Sequence, residues 1–221
     1  MEPLRITILL NSPIVEPSQP FHFDALLGAL KVRQAEAEHG AIDPRSVHHD
    51  IPLDRHVTPS GKWVFKASAF KLNKMEEAFN WMMSGRSDLK QAAEDRASGF
   101  LKYRTAKPNT AGGPFKASVF HLDLVWGDLV AYAVGDKQAI EQMLAGCSQV
   151  GGRRGTGFGN VQSISVESVS IEECHWDWRN LPSDYDIPLT HTESLVQSAG
   201  SLHAPYWDRQ LHEVVLMPES L

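Results

Sequence analysis

Residues 150–161, Val-Gly-Gly-Arg-Arg-Gly-Thr-Gly-Phe-Gly-Asn-Val, set five glycines and two adjacent arginines between a helical run and a run alternating valine, isoleucine and serine. Glycine has no Cβ, so such a loop can take positive φ, let another backbone come close and aim its N–H groups outward. With Arg153 and Arg154 beside them, those groups suit an anionic partner. A nucleotide-binding P-loop ends in Lys-Ser/Thr and opens a helix, as a dinucleotide fingerprint also does. Here the helix comes first, and Gly155-Thr156-Gly157-Phe158-Gly159 opens a strand. The plain alternative is an ordinary glycine-rich turn with two solvated arginines.

Hydrophobic periodicity supplies the rest of the frame. Residues 4–10 alternate and then become wholly apolar, as a central strand does, before Pro13, Pro17 and Pro20 break the run. Residues 22–36 predict a helix capped by Asp24, with Phe23, Leu26, Leu27, Leu30 and Val32 facing inwards. Residues 63–72 predict a strand whose polar side carries Lys66 and Lys71, and residues 74–85 a short helix around Met75, Phe79 and Trp81. Residues 85–114 break the pattern and predict a basic inserted arm holding Arg86, Lys90, Arg96, Lys102, Arg104 and Lys107 with Phe100 and Tyr103. Two strands, 115–126 and 129–134, follow with a turn at Gly127-Asp128 between them, then a helix over 137–145 capped by Asp136. The strand after the loop runs over 160–171, and residues 212–217 predict an edge strand. The order strand, helix, strand, strand, helix, strand predicts an α+β, ferredoxin-like domain over 1–171, with an acidic, aromatic C-terminal extension over 172–221 packing on it.

A helix followed by a Gly/Arg loop and a strand resembles the glycine-rich loop of the RAMP superfamily of CRISPR-associated RNA-binding proteins, whose ferredoxin-like domain is of the RRM type. With a single such loop, a small size and the helix start Phe23-Asp24-Ala25-Leu26-Leu27, the chain looks most like the type IV effector subunit that holds the 5′ handle of the guide RNA. Such subunits resemble the handle-binding subunits of type I complexes. The resemblance implies that Arg153 and Arg154 contact handle phosphates, aided by the N–H groups of Gly155 and Gly157. It implies that the arm acts as a thumb, with Lys102, Arg104 and Lys107 on phosphates and Phe100 or Tyr103 stacked on an unpaired base. Lys66 and Lys71 join these on alternation alone. The implied protein caps one end of a ribonucleoprotein filament without cutting RNA, beside backbone RAMP subunits and other effector proteins, with the target DNA duplex as a further candidate partner.

A charge of −6 over 221 residues opposes nucleic acid as a sum, but it is unevenly spread. Residues 172–221 hold nine acids against two arginines, whereas residues 55–122 hold twelve Lys/Arg against five Asp/Glu. A basic patch on one face, rather than the sum over the chain, decides phosphate binding. Solvated surface charge and a basic face that docks a protein are the competing explanations. Cys147 and Cys174 have no paired spacing, which argues against a disulfide framework and a zinc site. No apolar run approaches a membrane span, and the first residues do not form a secretory signal, so a cytoplasmic protein is expected, and the resemblance implies a prokaryotic one.

Catalysis is the sharper rival. Some RAMP proteins cut repeat RNA without a metal, using histidine on the 2′-hydroxyl and Lys, Arg or Tyr on the developing charge. His22, His56 beside Arg55, and His121 near Lys116 are the candidates. No triad-like or metal-ligand spacing joins them, His48-His49-Asp50 lacks a third ligand, and no second ferredoxin-like repeat is evident, so the expectation is no catalytic residue, metal or cofactor.

Overall fold

The computed structural model describes residues 1–85, 88–99, 109–112, 116–206 and 208–220. Its elements begin with strand β1 (Glu2–Leu10), the short β2 (Ile14–Val15), helix α1 (Phe23–His39) and strands β3 (Arg55–Val57), β4 (Trp63–Phe65) and β5 (Lys71–Lys74). Next come β6 (Phe79–Gly85), helix α2 (Leu89–Ala97), β7 (Ser118–Val125), β8 (Gly127–Gly135), helix α3 (Lys137–Leu144) and β9 (Val161–Ser168). Strands β10 (Leu181–Pro182), β11 (Leu195–Gly200) and β12 (Glu213–Pro218) follow. The fold mixes antiparallel sheets with three α-helices among the described residues. It divides into two compact units, Met1–Glu77 with Val125–Leu221, and Ala78–Leu124.

The first unit is built on a four-stranded antiparallel sheet in the order β5-β8-β1-β9. Alternation along β1 buries Leu4, Ile6 and Ile8 completely, opposite Ala133, Ala131 and Leu129 of β8. On the other side Ile6 meets Val166 and Ile8 meets Ile164 of β9. These side chains share one cluster with Phe23, Leu26 and Leu27 of α1 and Ile140 and Leu144 of α3. One face of the sheet is therefore closed by two helices. Helix α3 starts where Asp136 accepts a hydrogen bond from the Ala139 amide at 3.1 Å.

On the opposite face Val134 joins Val64, Cys174, Trp176, Leu181, Leu202 and Val215 in a second cluster. Residues 172–221 thus contribute their own core and a three-stranded sheet in the order β10-β12-β11. The strand expected at an edge over 212–217 lies at its centre. Its alternating Val215 pairs with Pro182 on one side and Ser198 on the other.

Other expectations also change. Residues 63–72 are not one strand, because the chain bulges between Ser68, which bonds Tyr132, and Lys71, which faces Val130. Three residues there span two on β8, and the amides of Ala69 and Phe70 donate to the carbonyls of Trp178 and Phe21 instead. Residues 127 and 128 lie inside β8 rather than in a turn, and only Trp126 separates β7 from β8. A Cβ on Gly127 would stand 2.4 Å from the Asn73 carbonyl oxygen, so glycine lets β5 approach.

The second unit is an antiparallel ribbon of β6 and β7, in register from Phe79 opposite Leu124 to Gly85 opposite Ser118, with the helix α2. The expected helix over 74–85 is a strand. Short apolar runs satisfy both periods, and here the aromatic and large side chains of Phe79, Trp81 and Met83 are spent on cross-strand pairing. This unit is wider than the arm expected at 85–114.

Candidate nucleic-acid interface

The glycine-arginine loop is pinned at its base before it reaches solvent. The amide of fully buried Val150 donates to the Gly159 carbonyl at 2.8 Å, and the Gly159 amide donates to the Pro13 carbonyl at 2.9 Å. The Asn160 amide donates to the Ser12 hydroxyl at 2.8 Å, and the Asn11 amide to the Asn160 carbonyl at 3.0 Å. The segment that breaks β1 therefore holds the loop. Gly159 has φ +66°, and a Cβ there would lie 1.9 Å from the Val150 oxygen. Gly151 has φ +80° and would meet the Ile14 side chain at 2.8 Å.

Above this base the chain makes a single 3₁₀ turn, Arg154–Thr156. The Thr156 amide and hydroxyl both donate to the Arg153 carbonyl, at 3.0 and 2.6 Å. The Gln149 side-chain amide donates to the Arg154 carbonyl at 3.1 Å and to Asn160 Oδ1 at 2.7 Å, and Asn160 returns a bond to the Gly157 carbonyl at 3.1 Å. Arg153 sits in the left-handed region at φ 55°, a conformation that costs a non-glycine residue about 1 kcal/mol. The turn is built from its own side chains, with Arg153 exposed and Arg154 half-buried at its tip.

The sequence-predicted residues divide among three places. Arg153, Arg154, Gly155 and Gly157 share this turn. Open space surrounds both glycines, but the Gly157 amide already donates to the Arg154 carbonyl at 2.9 Å. Lys71 is exposed on β5, while the Lys66 ammonium is neutralised by Asp54 at 2.7 Å. Phe100, Lys102, Tyr103, Arg104 and Lys107 lie outside the described residues.

The histidines are dispersed. His22, at 1% exposure, stacks on Tyr206 with ring centres 4.3 Å apart. Burial, and then the charge of Arg179, hold its pKa well below the ordinary value. His56 Nε2 stands 3.5 Å from Asp186, and His121 Nδ1 lies 3.3 Å from the Asn80 side chain on the β6–β7 ribbon. Among the described residues no three His, Cys, Asp or Glu side chains gather to hold a metal, and no helix is long and apolar enough to cross a membrane.

Sequence reasoning missed a buried polar centre. Asp24 does not cap α1, whose N-cap is His22 without a side-chain bond; it lies fully buried in the first turn. There its carboxylate accepts from Arg179 at 3.3 Å and from the Tyr206 hydroxyl at 2.9 Å. Burial opposes the Arg179 charge, but Asp24 and Tyr206 outweigh it and raise its pKa. The only signals were an acid inside a helix's first turn and an arginine alone among tryptophans and acids. Nearby, His203 stacks on Trp63 at 4.2 Å, with Arg55 also over that indole at 4.3 Å.

These histidines make stability depend on pH. Burial, and then the charge of His49, bring the His203 pKa down to about 4. An unfolded histidine binds its proton at about 6.5, so the unfolded chain takes up protons that folded His22 and His203 refuse. Stability is complete above that pH and falls as pH drops from about 6.5 towards 4. Urea midpoints are expected to fall between pH 7 and pH 5, and less steeply in His203→Gln.

The described residues thus combine a pinned cationic turn with a sheet closed on one face by two helices. No curated protein matches it. The model of the family described as CRISPR type IV associated protein Csf3 matches residues 2–218, nearly the whole chain, and the protein belongs to that family.

Proposed function

We propose that this protein is the RNA-binding subunit of a type IV CRISPR ribonucleoprotein that grips the 5′ handle of the guide RNA and caps one end of the backbone filament. Its core is a ferredoxin-like, RRM-type RAMP domain. Support for this comes from the antiparallel order β5-β8-β1-β9, with α1 between β1 and β5 and α3 between β8 and β9. Its neighbours are backbone RAMP subunits and other effector proteins. Target pairing falls to the guide, as in other RNA-guided systems.

The observation that carries the proposal is the pinned turn with Arg153 and Arg154 at its tip. A left-handed Arg153 held by Thr156, in a turn whose next carbonyls at Arg154 and Gly157 are held by Gln149 and Asn160, is a local cost that a plain surface turn does not need. Two guanidiniums on a fixed backbone match phosphate oxygens along a strand. The turn acts by gripping rather than cutting, in keeping with the burial of His22 and the separate partners of His56 and His121.

Titration of labelled repeat RNA tests this. Arg153→Ala/Arg154→Ala is expected to weaken binding about tenfold to a hundredfold, with a shallower fall of log affinity against log salt because fewer counterions are displaced. The RNA is expected to remain intact. A single-site cut lost in His56→Ala or His121→Ala would replace this proposal with a metal-independent endoribonuclease.

A further inference from the structure

We infer that a second RNA contact lies in the first unit, where a pocket between the sheet and the segment after β9 receives one unpaired nucleotide. This rests on the RNA-binding role proposed above. The pocket has a volume of about 330 Å³, near the lower end of the roughly 300–1,000 Å³ typical of small-molecule sites. One wall is formed by Ser68, Lys71, Val130 and Tyr132, the other by His175, Trp178 and residues 190–193. An adjoining recess of about 530 Å³ shares Lys71, Trp178 and Glu193 with it. An indole, an ammonium and a carboxylate therefore stand between two cavities.

Each part of a nucleotide finds its complement there. The Trp178 ring offers a stacking surface over which Lys71 Nζ now lies, 5.9 Å from its centre, so a base that stacks there displaces the ammonium onto its own phosphate. His191 Nδ1 accepts the Glu193 amide at 3.3 Å, which puts the imidazole proton on Nε2. That nitrogen and His175 Nδ1 have no partner among the described residues. Glu193 adds a carboxylate, held by the Ser220 hydroxyl, that accepts from the N–H groups of a base edge. A donor and an acceptor beside a stacking plane is how unpaired bases are read.

A row of paired residues runs from the pocket across the sheet. Lys71 lies opposite Val130, Val130 opposite Thr7, and Thr7 opposite Ser165, so one row crosses all four strands. It lies on the face turned away from α1 and α3, and it carries a cation and two hydroxyls. A strand leaving the pocket meets polar side chains.

The test titrates the full chain with each of the four nucleoside 5′-monophosphates, following tryptophan indole N–H signals, with the Trp178 signal assigned by Trp178→Phe. Repeat-RNA affinity is measured in parallel for Lys71→Met and His191→Gln, with thermal melts to confirm folding. At least one monophosphate is expected to shift the Trp178 signal saturably, His191→Gln to abolish that shift, and both variants to bind repeat RNA about tenfold more weakly. If Arg153→Ala/Arg154→Ala weakens RNA binding while Lys71→Met and His191→Gln do not, the loop's role stands and the pocket's is overturned. If a monophosphate binds there but RNA affinity ignores both substitutions, the site serves a free nucleotide and the inference is equally overturned. If no RNA is bound at all, the parent proposal fails with it.

Discussion

Arg179→Met is expected to destabilise the protein by about 3–5 kcal/mol, enough to unfold much of a marginally stable chain. Arg179 is fully buried and donates to the carbonyls of Phe65 and Ala67 at 2.8 Å each, to the Leu202 carbonyl, and to the Tyr206 hydroxyl at 2.6 Å as well as to Asp24. Methionine fills a similar volume but leaves the buried Asp24 carboxylate with only the Tyr206 hydroxyl and the Ala25 amide, and takes a donor from each of the carbonyls of Phe65, Ala67, Asn180 and Leu202. The damage spreads because the guanidinium joins α1, the stretch after β4 and residues 172–221 at one point. Asp24→Asn, which keeps a polar partner, is expected to cost less. In urea unfolding the double variant should fall short of the sum of the two singles, since each removes part of one network. A normal midpoint for Arg179→Met would show that the buried pair does not hold these segments together.

Gly159→Ala is the second large effect, expected at about 3 kcal/mol together with loss of RNA binding. A methyl group at φ +66° would be forced against the Val150 oxygen, and the bond that closes the loop base must break. Gly155→Ala supplies the contrast. Its Cβ meets nothing within 4 Å, so melting is expected to change by less than about 0.5 kcal/mol. Equal effects at the two positions, read by thermal melting, would mean that the base of the loop is not what fixes its shape.

How far the chain could be read depends on which interactions are local. Strand β1 and helix α3 announce themselves, because alternation at Leu4, Ile6 and Ile8 and the cap at Asp136 are properties of a few adjacent residues. The loop was equally visible as a cluster of glycine and arginine, but its hinge was not. Gly159 and Gly151 are required by the carbonyl of Val150 and the side chain of Ile14, and only the fold brings Ile14 there. Strand β6 reads as a helix in the sequence because Phe79, Trp81, Met82 and Met83 fit either period, and the ladder to β7 decides between them. The bulge after Ser68 depends on acceptors at Phe21 and Trp178, which are far away in sequence. Asp24 shows the same limit most plainly. In the first turn of a helix an acid looks like a cap, until an arginine 155 residues later claims it.

The most direct measurement is photo-crosslinking of repeat RNA carrying 4-thiouridine in its 5′ handle, with the attached peptides identified by mass spectrometry. Crosslinks on the peptide containing Arg153 and Arg154, competed by unlabelled repeat RNA and lost in Arg153→Ala/Arg154→Ala, are the expected result. Efficient crosslinking that spares residues 150–161 entirely would contradict a handle grip built on this loop.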